Sequence, residues 1–168
     1  MSSRRSLLAL LLLAAAGAGE TWHKTDAPFE ATLVLTDQLN AFLDQWSKPG
    51  AHARAPASAP LSAKRGATVW AVVVFGGCAP DKSARCHVQA DFKVMRPDGS
   101  TYSANPNTEV WHARPPDKGE LGLSTGRLGI HIRKADPLGT YRVRAEVKDL
   151  EGHRRVALEQ KLTVVDAK

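Results

Sequence analysis

The sequence predicts an all-β protein, an antiparallel β-sandwich preceded by a short strand and a helix. Several segments alternate apolar and polar residues with a period of two, and turn residues separate them. Only one segment shows helical spacing, and an apolar leader begins the chain. We therefore expect four parts: a signal peptide (1–18), a strand and helix that pack on the domain (19–47), an Ala/Pro-rich linker (48–66) and the β-sandwich (67–168).

The first 18 residues have the order of a secretory signal peptide. Arg4 and Arg5 precede an uninterrupted apolar run from Leu7 to Ala16, and small residues end the segment at Ala18. The apolar run is too short for a transmembrane helix, which needs about twenty residues. The alternative is an uncleaved apolar helix within the mature fold. The sequence thus predicts a periplasmic or secreted protein without a membrane span.

The charge of the chain argues against nucleic-acid binding. It has 23 basic and 17 acidic residues, and loss of Arg4 and Arg5 with the leader leaves a net charge of +4. This excess is too small to indicate a nucleic-acid partner. An unknown protein or an envelope component is the partner we expect.

A strand and a helix are predicted before the sandwich. Residues 29–35 have the composition of a short strand, and Thr36 and Asp37 offer N-cap oxygens to the helix that follows. We expect Phe42 and Trp46 to be buried against the strand at 68–75 or its neighbours. The apolar residues that share the helical face are Leu39, Phe42, Leu43 and Trp46.

The strands of the sandwich follow in order along the chain. The last two strands constrain their own register, because inward residues are odd-numbered in one and even-numbered in the other. The sequence numbers of two paired residues must therefore add to an odd number. A sum of 303 places Arg144 opposite Glu159, and a sum of 301 places Glu146 opposite Arg155. The predicted strands are 68–75, 87–94, 100–103, 109–113, 126–133, 140–149 and 155–165.

Cys78 and Cys86 are the two cysteines of the chain. An even cysteine count in an exported protein favours a disulfide. A metal site that combines them with His87 is the alternative, but it has too few ligands and fits no zinc spacing.

The turn before the strand at 140–149 is typical of a tyrosine corner. Asp136, Gly139 and Tyr141 form the sequence DPLGTY, in which a turn precedes the first inward tyrosine of a strand. In immunoglobulin-like and fibronectin-like sandwiches that hydroxyl bonds a backbone group a few residues upstream. The motif therefore favours an immunoglobulin-like or fibronectin-like antiparallel sandwich.

Several motifs together resemble a group of small exported bacterial proteins. The resemblance implies a signal peptide, a short helical preface and an immunoglobulin-like sandwich. Because the group has no assigned activity, it implies no site residues. The motifs are FGGC (75–78) with Cys86, RPDGSTY (96–102), VW with the following PP (110–116), the segment 128–147 that ends in DPLGTYRVRAEV, and TD…FLDQW (36–46).

The sequence contains no familiar catalytic motif and predicts neither catalytic residues nor a cofactor. His87 and His131 alternate outward on their strands, and they would bind copper or zinc if neighbouring strands brought them together. Without a third ligand, no metal site is predicted. A metal-handling protein or an enzyme that uses surface histidines remains the alternative function.

An exposed aromatic loop is the better candidate for function. Trp111 lies before Pro115 and Pro116, and a tryptophan beside such a loop can anchor a peptide or a sugar. Arg114 and Lys118 complete the candidate binding loop. The alternative is that Trp111 packs under the loop. The function predicted from the sequence is a non-catalytic exported module that binds a protein or an envelope component.

Overall fold

The computed structural model describes residues 23–58 and 60–166. The predicted signal peptide, residues 1–18, lies outside the described residues. Within these two ranges the longest helix has eight residues, and none has the length and apolarity of a membrane span. The elements are β1 (His23–Asp26), β2 (Phe29–Thr36), α1 (Leu39–Trp46), a 3-10 helix (Ala51–Ala53), β3 (Leu61–Lys64), β4 (Thr68–Gly76), β5 (Cys86–Met95), β6 (Thr101–Ala113), β7 (Gly122–Leu123), β8 (Leu128–His131), β9 (Gly139–Asp149) and β10 (Arg154–Val165).

Two five-stranded sheets form the protein. The first has the order β1-β2-β4, with β7 and β8 both pairing with β4, and the second has the order β3-β10-β9-β5-β6. Their inward faces share one apolar core that includes Phe29, Phe75, Phe92 and Tyr141. The all-β sandwich and the short helix are therefore confirmed, but the strand predicted before the sandwich, β2, is itself part of the first sheet and pairs with β4. The two facing sheets and the tyrosine corner are immunoglobulin-like.

The register of the last hairpin follows the predicted parity rule. Arg144 lies opposite Glu159, which is the register of sum 303, and the two side chains form an ion pair. Along β10 the alternating inward positions are buried, and they include the polar Gln160. Its amide Nε2 donates to the hydroxyl of Ser58, so this polar group ties the chain at Ser58 to the second sheet.

The predicted linker at 48–66 is partly wrong. Residues 61–64 form β3, which pairs in parallel with β10 at the edge of the second sheet. Only Ala63 of its four residues is buried. So short a strand has no periodicity that distinguishes it from a loop, and its pairing depends on β10, which is a hundred residues away in sequence.

The predicted strands at 100–103 and 109–113 are one strand, β6. Pro106 lies within it without ending it, because β6 is an edge strand and a proline there need not donate a ladder hydrogen bond. The pairing with β5 shifts register at three points, and Asn107 has a positive φ of 52°. These irregularities bend the edge strand and change which side chains share its outer face.

The helix has the predicted position but not the predicted packing. Phe42 and Trp46 are only partly buried, and no residue of α1 is fully buried. Phe42 stacks on Trp46 with ring centroids 6.5 Å apart, and Trp46 stacks on His52 of the 3-10 helix at 4.8 Å. The helical spacing established which residues share a face, but what covers that face depends on the chain after Gly50.

The predicted disulfide is present. It joins Cys78 to Cys86, with the Cα atoms 6.0 Å apart. The buried carboxylate of Asp149 accepts a hydrogen bond from the backbone N–H of Ala79 at 3.0 Å. This bond holds the disulfide loop against the β9–β10 turn, and a second bond, from the backbone N–H of Gly152 at 3.2 Å, fixes the same carboxylate within the turn.

The tyrosine-corner residues make the expected hydrogen bond and two further ones. The hydroxyl of Tyr141 donates to the carbonyl of Pro137 at 3.0 Å. Asp136 accepts a hydrogen bond from the hydroxyl of Tyr102 at 2.7 Å and another from the backbone N–H of Arg133 at 2.6 Å. Burial opposes ionisation of Asp136, but these bonds outweigh it and hold the pKa of the carboxyl below its usual value. Gly139 has a φ of +120°, which favours glycine there.

Candidate binding groove

An open groove runs between the segment around α1 and the loop after β6. Its volume is about 480 Å³. We call it the tryptophan groove, because two tryptophans on separate parts of the chain contribute to its walls. The lining residues are Trp46, His52, Trp111, Pro115, Pro116, Asp117, Glu120, Leu121, Gly122 and Leu123.

Trp111 is held firmly at the groove. One edge of its ring meets Phe75 of the core, with centroids 5.6 Å apart. Its indole N–H donates to the carbonyl of Arg114 at 2.8 Å. The loop packs closely here, because a Cβ at Gly122 would lie 2.7 Å from the ring of Phe75 and 2.9 Å from Pro116. Trp111 therefore packs partly under the loop while its remaining surface lines the groove.

His52 connects the two walls of the groove. Its ring stacks on Trp46, and its Nε2 lies 2.9 Å from the carbonyl oxygen of Trp46. Its own carbonyl accepts the backbone N–H of Leu121 at 2.8 Å, and its Nδ1 lies 3.9 Å from a carboxylate oxygen of Glu120. These contacts fix α1 relative to the 115–121 loop.

The structure changes the residue set of the predicted binding loop. Trp111 lines the groove as predicted, but Arg114 and Lys118 are exposed and are not among its lining residues. Asp117 and Glu120 line it instead, so its polar rim is acidic. The helical spacing predicts that Trp46 is buried in the core. Its position near the helix end at Pro49-Gly50 is the feature of the sequence that could indicate an outward-facing ring.

His87 and His131, which would bind a metal only if neighbouring strands brought them together, lie on different sheets. His131 lies on β8 of the first sheet opposite Thr68, whereas His87 lies on β5 of the second sheet opposite His112. The sequence pattern placed both histidines outward but contained no information on which sheet each would join.

Ion pairs lie on the outer face of the second sheet. Arg144 pairs with Glu159, and Lys148 donates to Asp91. Hydrogen bonding from the Asn107 backbone and from Lys148 keeps the pKa of Asp91 below its usual value. Such solvated ion pairs contribute little to stability.

The comparisons with known proteins bear on the fold alone. No protein-family profile and no curated protein matches the sequence. A family 123 glycoside hydrolase from Clostridium perfringens, described for glycolipid glycan hydrolysis, is similar over 82% of this chain with a TM-score of 0.51 and 9% identity. This chain spans only 27% of that enzyme. A Niemann-Pick type C2 protein from Japanese carpenter ant aligns over 89% of this chain and 96% of its own, with a TM-score of 0.45 and 9% identity.

Proposed function

We propose that this chain is an exported, non-catalytic binding module that holds a cationic segment of another protein in the tryptophan groove. The observation that carries the proposal is the pair of partly exposed tryptophans, Trp46 and Trp111, that come from separate parts of the chain and line one open groove. Tryptophan is among the residues that contribute most to protein interfaces.

The charge of the groove supports a cationic partner. Asp117 and Glu120 are exposed at its rim, and Arg114 and Lys118 are not among the residues that line it. A lysine or arginine side chain would be attracted to the carboxylates and to the faces of the indole rings. Prolines 115 and 116 restrict the loop, which lowers the entropy lost on binding.

The strand edges are poorer candidates for recognition. The edge strand β6 contains Pro106 and three register shifts, and the edge strand β3 has four residues. Short or irregular edges do not present the regular row of backbone groups that strand addition requires. The loops beside the tryptophan groove are therefore the surface that we favour.

Export is supported by the predicted leader and by the disulfide. Disulfides persist in oxidising compartments, and Cys78 and Cys86 are bonded here. We expect the mature protein to begin near Gly19 in the periplasm or outside the cell. Intact-mass measurement of native material will test this, and a mass that includes residues 1–18 would contradict it.

Binding will be tested with the mature protein and fluorescein-labelled peptides in fluorescence polarisation. We expect peptides that contain lysine or arginine beside apolar residues to bind, and matched peptides with glutamate to bind far less. Trp46→Ala should weaken binding about tenfold or more. Asp117→Asn should weaken it less and reduce its salt dependence. Leu138→Ala is the matched control, because Leu138 is 43% exposed and does not line the groove.

Equal binding of acidic and basic peptides would refute the proposed charge preference. Peptide binding that survives Trp46→Ala and Trp111→Ala alike would eliminate the groove as the binding surface. Circular dichroism of each variant will show whether it is folded, which matters most for Trp111 because its ring contacts Phe75.

A further inference from the structure

A cluster of potential metal ligands lies on the outer face of the second sheet. His87 of β5 is paired with His112 of β6, and their rings stack with centroids 4.5 Å apart and planes 15° apart. Nδ1 of His112 lies 3.6 Å from a carboxylate oxygen of Glu109. One ligating atom from each of the three residues lies within 4.8 Å of the other two. We propose that these three side chains form a zinc-binding site.

A β-bulge brings Glu109 onto this face. In a regular strand, residues three apart point to opposite faces, so Glu109 and His112 would be separated by the sheet. Here the pairing shifts register, with Val88 opposite Trp111 but Gln89 opposite Glu109. The extra residue, Val110, is buried. Bulges of this kind re-aim side chains and are frequent beside functional sites.

The bulge is held by contacts away from the cluster. The carbonyl of Val110 accepts the backbone N–H of Thr125 at 2.9 Å and the hydroxyl of Thr125 at 3.1 Å. Gly126 packs against the same backbone, where a Cβ would lie 2.1 Å from the carbonyl oxygen of Glu109. The loop after β7 therefore fixes the backbone that presents Glu109.

The three side chains can close around an ion without displacing buried groups. Donors bound tetrahedrally at zinc distances lie about 3.4 Å apart, so the atoms must approach by roughly 1 Å and the rings must turn out of their stack. The side chains of His112 and Glu109 are 45% and 58% exposed, which leaves them room to rotate. His87 is partly exposed, and the side-chain amide nitrogen of Gln89 lies 3.3 Å from its Nε2.

The donor set favours zinc over calcium or magnesium. Two imidazole nitrogens and one carboxylate suit Zn²⁺, whereas Ca²⁺ and Mg²⁺ prefer oxygen ligands alone. Three protein ligands leave one position for water. The guanidinium of Arg85 donates to the carbonyl of His112 and brings a positive charge nearby, which Glu109 offsets. Cu²⁺ should also bind, and more tightly, because imidazole sites follow the Irving–Williams order.

This zinc site is separate from the tryptophan groove. Trp111 lies opposite the buried Val88 and packs towards Phe75, whereas the neighbouring His112 faces outward. Loss of metal binding therefore need not affect peptide binding, and the two proposals can fail independently.

The test is calorimetric titration of Zn²⁺ into the mature, EDTA-treated protein in a buffer that does not bind metal. We expect one zinc per chain with micromolar affinity. His112→Ala and Glu109→Gln should each lower the affinity at least about tenfold. His131→Ala is the matched control, because His131 is an exposed strand histidine on the other sheet. In NMR spectra, zinc should shift the ring signals of His87 and His112 first.

Other outcomes would overturn the zinc site. These are no saturable binding at millimolar zinc, unchanged affinity in both His112→Ala and Glu109→Gln, or ring shifts confined to other histidines. Zinc is used as the probe in place of Cu²⁺, because Cu²⁺ would also bind at the free N-terminus of the mature protein, which is close to His23 in sequence. A His23→Ala variant distinguishes that site, and loss of zinc binding in this variant alone would refute the proposal.

Discussion

Replacing Tyr102 with phenylalanine isolates one hydroxyl group in the network at Asp136. That hydroxyl lies 2.7 Å from the Asp136 carboxylate and 2.6 Å from the carbonyl of His131. The ring lies under the guanidinium of Arg96 at 4.9 Å and meets Tyr141 edge-on at 5.7 Å. Because phenylalanine keeps both ring contacts, a change in stability will report on the hydroxyl.

The expected loss follows from the charge and burial of the acceptor. Asp136 is only 8% exposed, so water cannot readily replace the lost donor. A hydrogen bond to a charged group contributes about 1.5–3 kcal/mol. We expect Tyr102→Phe to lower the free energy of unfolding by about 2 kcal/mol. In a domain of this size that is a fall in Tm of roughly 4–8 °C.

The pH dependence of stability gives a second measurement. The pKa of Asp136 is lowered in the folded state, so its stabilisation is present above the carboxyl's unfolded pKa of about 3.9 and is lost as the pH falls through the lower folded value. Tyr102→Phe removes one cause of the lowering. The stability of the variant should therefore fall less than that of the wild-type protein between pH 5 and pH 2.

The assay is equilibrium unfolding in urea with the disulfide intact, at several pH values. Asp136→Asn and the double variant complete a cycle, and contact between the two residues predicts a coupling of about 1 kcal/mol or more. A loss below roughly 0.5 kcal/mol for Tyr102→Phe, or pH profiles that superimpose, would refute the reasoning, since surface substitutions cost no more than this.

Three further predictions concern other parts of the molecule. Reduction of the disulfide, which joins cysteines eight residues apart, should lower the free energy of unfolding by about 2.5 kcal/mol in urea titration; no change would contradict it. Burial raises the pKa of Tyr102 to about 12 and also raises that of Tyr141, so at pH 10 absorbance at 295 nm should show less phenolate in the native protein than in the urea-unfolded protein; equal absorbance would contradict this. Arg144→Ala should change stability by less than about 0.5 kcal/mol, because its ion pair with Glu159 is solvated; a larger loss would show that the pair is structurally important.

Much of the sandwich could be predicted from the sequence alone. Alternating residues located most strands, and the parity of β9 and β10 limited their register to odd sums, of which 303 is the one adopted. The disulfide and the hydrogen bond from Tyr141 to Pro137 could also be predicted. All of these depend on residues close together in the chain, where spacing and turn chemistry are directly visible.

Tertiary structure decided the candidate sites. The contacts on the apolar face of α1 come from the chain after Gly50, where His52 stacks on Trp46. The groove depends on Trp46 and Trp111, which are far apart in sequence. The alternation of β6 placed Glu109 and His112 on opposite faces, but a bulge at Val110 brings them together. A local pattern records which residues share a face in a regular element. It does not record which element lies alongside or where strand pairing shifts by one residue. Both depend on contacts that form only when the two sheets pack together over their core.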